Sequence, residues 1–155
     1  MKSSSEKEFE TFFTADIEAA LTSCFEAGGT LTVFPKGTSM LPSIVQGKDS
    51  VELSRVKKIA ENEIYLYKRP NGAFALHRLL KAEGEKLIFR GDAQLVSETV
   101  KKEQLIAFVC GIYREGKRKD VKTSYKFFLF ANSFYFFRKA VIKLRSLKKR
   151  MKRWF

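Results

Sequence analysis

The sequence predicts a mainly β protein, an antiparallel sheet domain with one helix ahead of it and an amphipathic basic helix behind it. Three observations lead there. Apolar residues recur at helical spacing before Gly28, residues 30–113 break into short Val-, Ile-, Leu-, Phe- and Tyr-rich runs, and the chain closes on a basic, aromatic segment. The division that follows is residues 1–29 for an N-terminal amphipathic helix, 30–116 for the β domain and 117–155 for the tail. A chain of 155 residues has room for one core with appendages and none for a large multidomain enzyme.

In the first segment Phe9, Phe12, Phe13, Ile17, Leu21, Cys24 and Phe25 form one stripe at three-and-four spacing, which predicts a helix packed on the core. Gly28 and Gly29 end it. The strand-like runs are Thr30 to Phe34, Ser50 to Ser54, Glu63 to Tyr67, Ala73 to Lys81, Lys86 to Arg90 and Gln104 to Tyr113. Pro70-Asn71-Gly72 and Glu83-Gly84-Glu85 are turn sequences that suit hairpins on either side of the fourth run. No helix-length segment separates neighbouring runs, so the sheet should be mainly antiparallel. In the tail, Ala140, Leu144, Leu147, Met151 and Trp154 line up along one helical face, with Lys and Arg over most of the rest.

Charge is distributed unevenly. Residues 1–116 carry 16 Lys or Arg and 16 Asp or Glu, whereas residues 117–155 carry 14 and 1. The same tail holds 10 of the 21 aromatic residues, so it is basic and apolar together, which suits an anionic membrane surface. Nucleic acid is not the expected partner, because a phosphate-binding arm has no need of seven phenylalanines and no nucleic-acid module precedes it. Docking of the apolar stripe on the domain or on a second copy is the other reading of the tail. The longest uncharged runs are eleven residues, short of the roughly 20 apolar residues of a spanning helix. Glu6, Glu8 and Glu10 stand where a secretory signal would carry its basic and apolar regions. The expected location is therefore cytoplasmic, peripheral to a membrane. Cys24 and Cys110 stand far apart, with no CxxC pair and one histidine in the chain, so neither a zinc site nor any cofactor is implied.

The segment with chemical character is Gly37-Thr38-Ser39-Met40-Leu41-Pro42, a Gly- and Pro-constrained loop between two strand-like runs. It is followed in order by Gly47-Lys48-Asp49, by His77-Arg78 on the fourth run, by Gly91-Asp92, and by Ser97-Glu98. Together these resemble the type I signal peptidase superfamily, which also includes the self-cleaving repressor proteases; the resemblance covers roughly residues 30–114. It implies a β-rich catalytic domain in which Ser39 is the nucleophile and His77 is the general base; Met40 reads as a packed side chain beside Ser39 that helps set its direction. The histidine follows the archaeal and endoplasmic-reticulum type, whereas the common bacterial enzymes have lysine there. Either Asp92 or Glu98 would orient His77, the family's acid being Asp where this chain has Glu98. The bacterial enzymes are expected to use a side-chain hydroxyl two positions before the nucleophile, and this chain has Gly37. A second oxyanion donor would then come from backbone near Gly37 and Thr38, from the Thr38 hydroxyl, or from nowhere.

These residue types suit the chemistry. A serine hydroxyl is a weak nucleophile until a base takes its proton, and an imidazole of ordinary pKa near 6.5 is matched to neutral pH. The same imidazolium can then protonate the departing amine, while a carboxylate on its other nitrogen fixes the tautomer. The expected activity is serine endopeptidase cleavage of a peptide or protein held extended along a sheet edge. Self-cleavage at Ala27-Gly28 or Cys110-Gly111, and a peptidase fold kept as an inactive, membrane-associated peptide-binding module, are the competing readings.

Overall fold

The structure, a computed structural model, describes residues 17–119 together with Ser133 and Phe137. Most of the tail that the sequence reads as a basic amphipathic helix, and the first part of the N-terminal helix, lie outside the described residues. What is described is mainly antiparallel β sheet with one helix near the N-terminus.

That helix, α1 (residues 17–26), lays Leu21 into the core at 1 % exposure, with Ile17 and Phe25 packed beside it, as the apolar stripe requires. Eight strands follow: β1 (Leu31–Val33), β2 (Asp49–Ser54), β3 (Ile64–Lys68), β4 (Phe74–Glu83), β5 (Lys86–Arg90), β6 (Glu98–Lys101), β7 (Leu105–Arg114) and β8 (Lys117–Lys119). Their order in the sheet is β1-β2-β7-β3-β4-β5-β6, with β8 also paired to β7. Every pairing is antiparallel. Both expected hairpins are present, β3 to β4 around Pro70-Asn71-Gly72 and β4 to β5 around Gly84, where φ of 82° at Gly72 and 59° at Gly84 exploit glycine's freedom.

Two strands escaped the sequence reading. β6 is short and carries one buried residue, Val100, so it lacks the apolar alternation that announces a strand. β8 is Lys-Arg-Lys, part of the segment assigned to the tail, yet it pairs with Ile112 to Arg114. The turn that creates it has φ of 52° at Glu115 and 73° at Gly116, the paired positive values of a tight hairpin whose twist matches its strands. The sheet therefore extends to Lys119 and not to residue 116.

β3 explains why the sheet has two apolar faces. Ile64 and Leu66 join Leu21, Met40, Ile44, Val51, Leu53, Ala107, Val109 and Ile112 on one side. Tyr65 and Tyr67, pointing the opposite way by the two-residue period of a strand, join Ala75, Leu79, Leu87, Phe89 and Val100 on the other. A strand covered on both faces reads as a continuous apolar run, which Ile64-Tyr65-Leu66-Tyr67 is.

Along β4 the pairing is incomplete. β5 pairs with β4 only from Arg78 onward, so among the described residues Phe74 to His77 are bonded on the β3 side alone. This open edge is where the site lies.

Candidate active site

The β3–β4 register places Tyr65 opposite His77 and Tyr67 opposite Ala75. Tyr67 and His77 are therefore diagonal neighbours on one face, within reach across the strands. The Tyr67 hydroxyl is 2.9 Å from His77 Nδ1. Arg69, two residues beyond Tyr67, forks onto Glu98 of β6, Nε to Oε2 at 2.7 Å and Nη2 to Oε1 at 2.6 Å. Glu98 Oε1 in turn lies 3.4 Å from His77 Nδ1. The result is a chain of groups running Arg69, Glu98, Tyr67, His77.

Protonation follows from the surroundings. His77 is 2 % exposed, and burial holds its pKa below the ordinary 6.5 against the upward pull of the Glu98 charge. It is neutral at pH 7. The Arg69 hydrogen bond holds the Glu98 carboxyl below its ordinary range, so Glu98 is ionised. Burial pushes the Tyr67 phenol upward, so it keeps its proton. An ionised carboxylate only accepts, and it is a stronger acceptor than a neutral imidazole. The Glu98 carboxylate 3.4 Å from Nδ1 therefore favours the tautomer with its proton on Nδ1, which the phenol oxygen accepts. In that tautomer Nε2 carries a bare lone pair. Every buried side-chain nitrogen or oxygen among the described residues has a hydrogen-bond partner. Nε2 has none among them, so it opens onto solvent.

His77 is one of the residues lining a cleft of about 240 Å³, together with Phe74, Ala75 and Leu76 of the unpaired stretch of β4. One wall is Phe74, Ala75, Leu76 and His77; the other includes Pro35, Lys36, Gly37, Ser39 and Met40. Ser39 and His77, distant in sequence, thus line the same cavity. The Ser39 hydroxyl has no hydrogen bond to His77 and no other partner within 3.5 Å among the described residues. Its backbone is firmly held: Ser39 O accepts the Ala93 N–H at 2.8 Å. Met40, 5 % exposed, is packed in the core beside Ile44 and anchors the loop from below. The Leu41 and Ile44 N–H groups point back to Thr38 O and Met40 O, while those of Ser39 and Met40 find no acceptor among the described residues. The N–H of Ser39 is free to meet an anion.

Gly37 has a structural reason to be glycine. Its φ is 101°, a conformation in which a Cβ is strained, so this backbone is a poor place for a side-chain hydroxyl. Its N–H is also committed, donating to Gln46 Oε1 at 2.6 Å. Gly37 therefore offers no oxyanion donor in this arrangement, which leaves the Thr38 backbone and hydroxyl from the group expected at the sequence level. Thr38 is exposed at the start of the turn.

Of the two acids, Glu98 reaches His77 and Asp92 does not. Asp92 Oδ1 and Oδ2 accept from Arg78 Nε at 2.9 Å and Nη2 at 2.7 Å, and the Ser43 hydroxyl donates to Oδ2. Arg78 Nη1 also donates to Asn62 O at 2.6 Å. Because Arg78 is next to His77 on a strand, its side chain leaves from the opposite face, and Asp92 goes with it. Asp92 is thus a strut between β4 and the loop that carries Ser39, not a support for the imidazole. Asp49 of the Gly47-Lys48-Asp49 turn has a similar structural part, receiving Val45 N–H at 2.7 Å and both Arg114 donors at 2.5 Å.

Tyr67 and Arg69 were not singled out in the sequence. A hairpin centred on Pro70-Asn71-Gly72 could have found Tyr67, since it sets residue 67 beside 75 and diagonal to 77. Among the described residues no group of three or more His, Cys, Asp or Glu is placed to hold a metal ion, and no helix is long and apolar enough to cross a membrane. No protein-family model, curated protein or solved structure matches this chain.

Proposed function

We propose that this protein is a signal-peptidase-like serine endopeptidase that cleaves an extended peptide lying along the open edge of β4. The observation that carries the reading is the shared cleft: Ser39 on one wall, His77 on the other, with Tyr67 and Glu98 holding Nδ1 so that Nε2 is the basic nitrogen. Substrate backbone would pair with the unbonded side of Phe74 to His77, adding a strand as many peptide-binding proteins do. Ser39 Oγ attacks the carbonyl carbon as its proton passes to His77 Nε2, and the imidazolium then protonates the leaving amine. The Ser39 N–H stabilises the oxyanion.

The resting distance of Ser39 from any partner favours one second reading, a cleft that binds peptides without cutting them. A single experiment separates the two. Purified protein is incubated with a fluorogenic peptide library, alongside its Ser39→Ala variant. Cleavage by the first and background release by the second supports the peptidase; identical release by both rejects Ser39 as nucleophile, and tight binding with no cleavage leaves the module.

Residues 120–155 are read as the arm that holds the enzyme at an anionic membrane surface from the cytoplasmic side, near membrane-bound substrates. Each basic residue near such a surface contributes about 1 kcal/mol, and aromatic burial adds to it. The full chain is expected to sediment with vesicles containing phosphatidylserine and a chain ending at Lys119 to stay in the supernatant. Equal sedimentation of the two would remove the tail from this role.

A further inference from the structure

Two glutamines line the cleft, and each has its carboxamide fixed in the same sense. Gln46 Oε1 accepts the Gly37 N–H at 2.6 Å, and Gln94 Oε1 accepts the Gly91 N–H at 3.2 Å. Since the partner is a donor in both cases, the oxygen must face it and the NH₂ must face away. Neither NH₂ has a partner among the described residues, so two residues that line the cleft each keep an unused donor.

Gln94 is the one seated against the nucleophile. It belongs to the tight turn from Gly91, closed by Gln94 N–H to Gly91 O at 2.8 Å, and Ala93 N–H of the same turn grips Ser39 O at 2.8 Å. The packing is close enough to exclude a side chain at residue 91. A Cβ there would stand 2.6 Å from Ser39 O and 3.0 Å from the Gln94 Cδ and Oε1. The backbone of Ser39 and the carboxamide of Gln94 thus both come within 3.0 Å of one point. Gln46, by contrast, bonds Gly37, which holds a left-handed conformation two residues before Ser39.

We infer that Gln94 is a catalytic residue, its side-chain NH₂ serving with the Ser39 N–H as the second donor to the oxyanion formed at the substrate carbonyl. This rests on the peptidase reading above. When Ser39 Oγ bonds to the carbonyl carbon, the π electrons move to oxygen and the hydroxyl proton moves to His77 Nε2. The new negative charge then needs two donors aimed at it, and Gly37 supplies none. A carboxamide locked by its own oxygen suits the task, because it needs no reorganisation as charge develops.

The test uses the full chain with p-nitrophenyl butyrate as acyl donor, following release of p-nitrophenolate and the mass of the Ser39 acyl-enzyme. Gln94→Ala is expected to lower kcat by roughly 10²- to 10³-fold with little change in KM, the loss typical of one oxyanion donor. Gln94→Met, which fills the space without an N–H, should match it, so that a poorly folded alanine variant cannot decide the result. An alkyl boronic acid, whose adduct with Ser39 carries an anionic tetrahedral centre, should weaken in parallel with kcat/KM. A wild-type chain that turns over through Ser39 while Gln94→Met keeps kcat within threefold overturns the assignment and leaves the peptidase standing. A wild-type chain with no Ser39-dependent turnover brings down the peptidase reading and this assignment with it.

Discussion

Replacing His77 by alanine is expected to lower kcat on the order of 10⁶-fold while leaving the fold intact, because a nucleophile and its base act as a unit and losing either removes nearly all that both provide. The cavity left in place of a 2 % exposed imidazole costs some stability, so circular dichroism and urea unfolding of the variant belong with the rate. The pH dependence supplies an independent check. The proposed reaction would need neutral His77, and burial depresses its pKa, so the acid limb of kcat/KM should lie below pH 6.5, falling tenfold per unit at lower pH. Stability has the same sign: the folded chain binds this proton more weakly than the unfolded one, so stability drops as pH falls below 6.5. Tyr67→Phe removes the hydroxyl bonded to Nδ1. One hydrogen bond to a charged group is worth about 1.5–3 kcal/mol, roughly 10- to 100-fold in rate. With the hydroxyl gone, Nδ1 is left to the Glu98 carboxylate 3.4 Å away, whose charge raises the His77 pKa, so the acid limb should move to higher pH. An unshifted limb and full activity in Tyr67→Phe would reduce Tyr67 to a packing residue; activity in His77→Ala would end the base mechanism.

What the sequence disclosed about this site depended on how locally each part is specified. The β3–β4 hairpin was legible because Pro70-Asn71-Gly72 is a strong turn signal and the flanking runs are rich in strand formers. His77 on β4 and Ser39 in a constrained loop were legible as motif residues, and the cleft does bring both to one cavity. The choice between Asp92 and Glu98 was not. It turns on strand parity: His77 and Arg78 leave opposite faces of β4, so the acid that meets one cannot meet the other, and only the placement of β6 brings Glu98 to the histidine's side. β6 itself was missed, since a four-residue edge strand with one buried side chain lacks a periodic signal. Arg69 was hidden for a related reason. Its partner Glu98 lies on β6, three strands from β3 in the sheet, and long-range pairing of that kind leaves no trace in local sequence.

The strut built by the other acid should show the largest effect on stability. Arg78 and Asp92 form a doubly hydrogen-bonded ion pair with side chains 1 % and 0 % exposed, closed by Ser43 and by Asn62 O. Such a pair adds modest net stability when intact, because desolvation offsets attraction, but removing one member strands a charge in the interior at a cost of about 3–5 kcal/mol. Against a typical total of roughly 5–15 kcal/mol, that is a large fraction. Asp92→Ala should therefore lower the urea midpoint steeply at unchanged m-value, with Arg78→Met nearly as damaging because Asp92 is then left to Ser43 alone. The double variant Arg78→Met with Asp92→Leu should recover part of the loss, since no buried charge remains. Additive losses in the double variant would mean the two side chains do not act as a pair. The effect should also reach catalysis. Ser43 lies in the loop of Ser39, and Asp92 lies in the turn whose Ala93 N–H holds Ser39 O, so the strut ties the Ser39 loop to β4 from two directions. Under conditions where the double variant is fully folded, its kcat should still fall below wild type, because apolar side chains restore burial but not the hydrogen bonds that tie the Ser39 loop to β4.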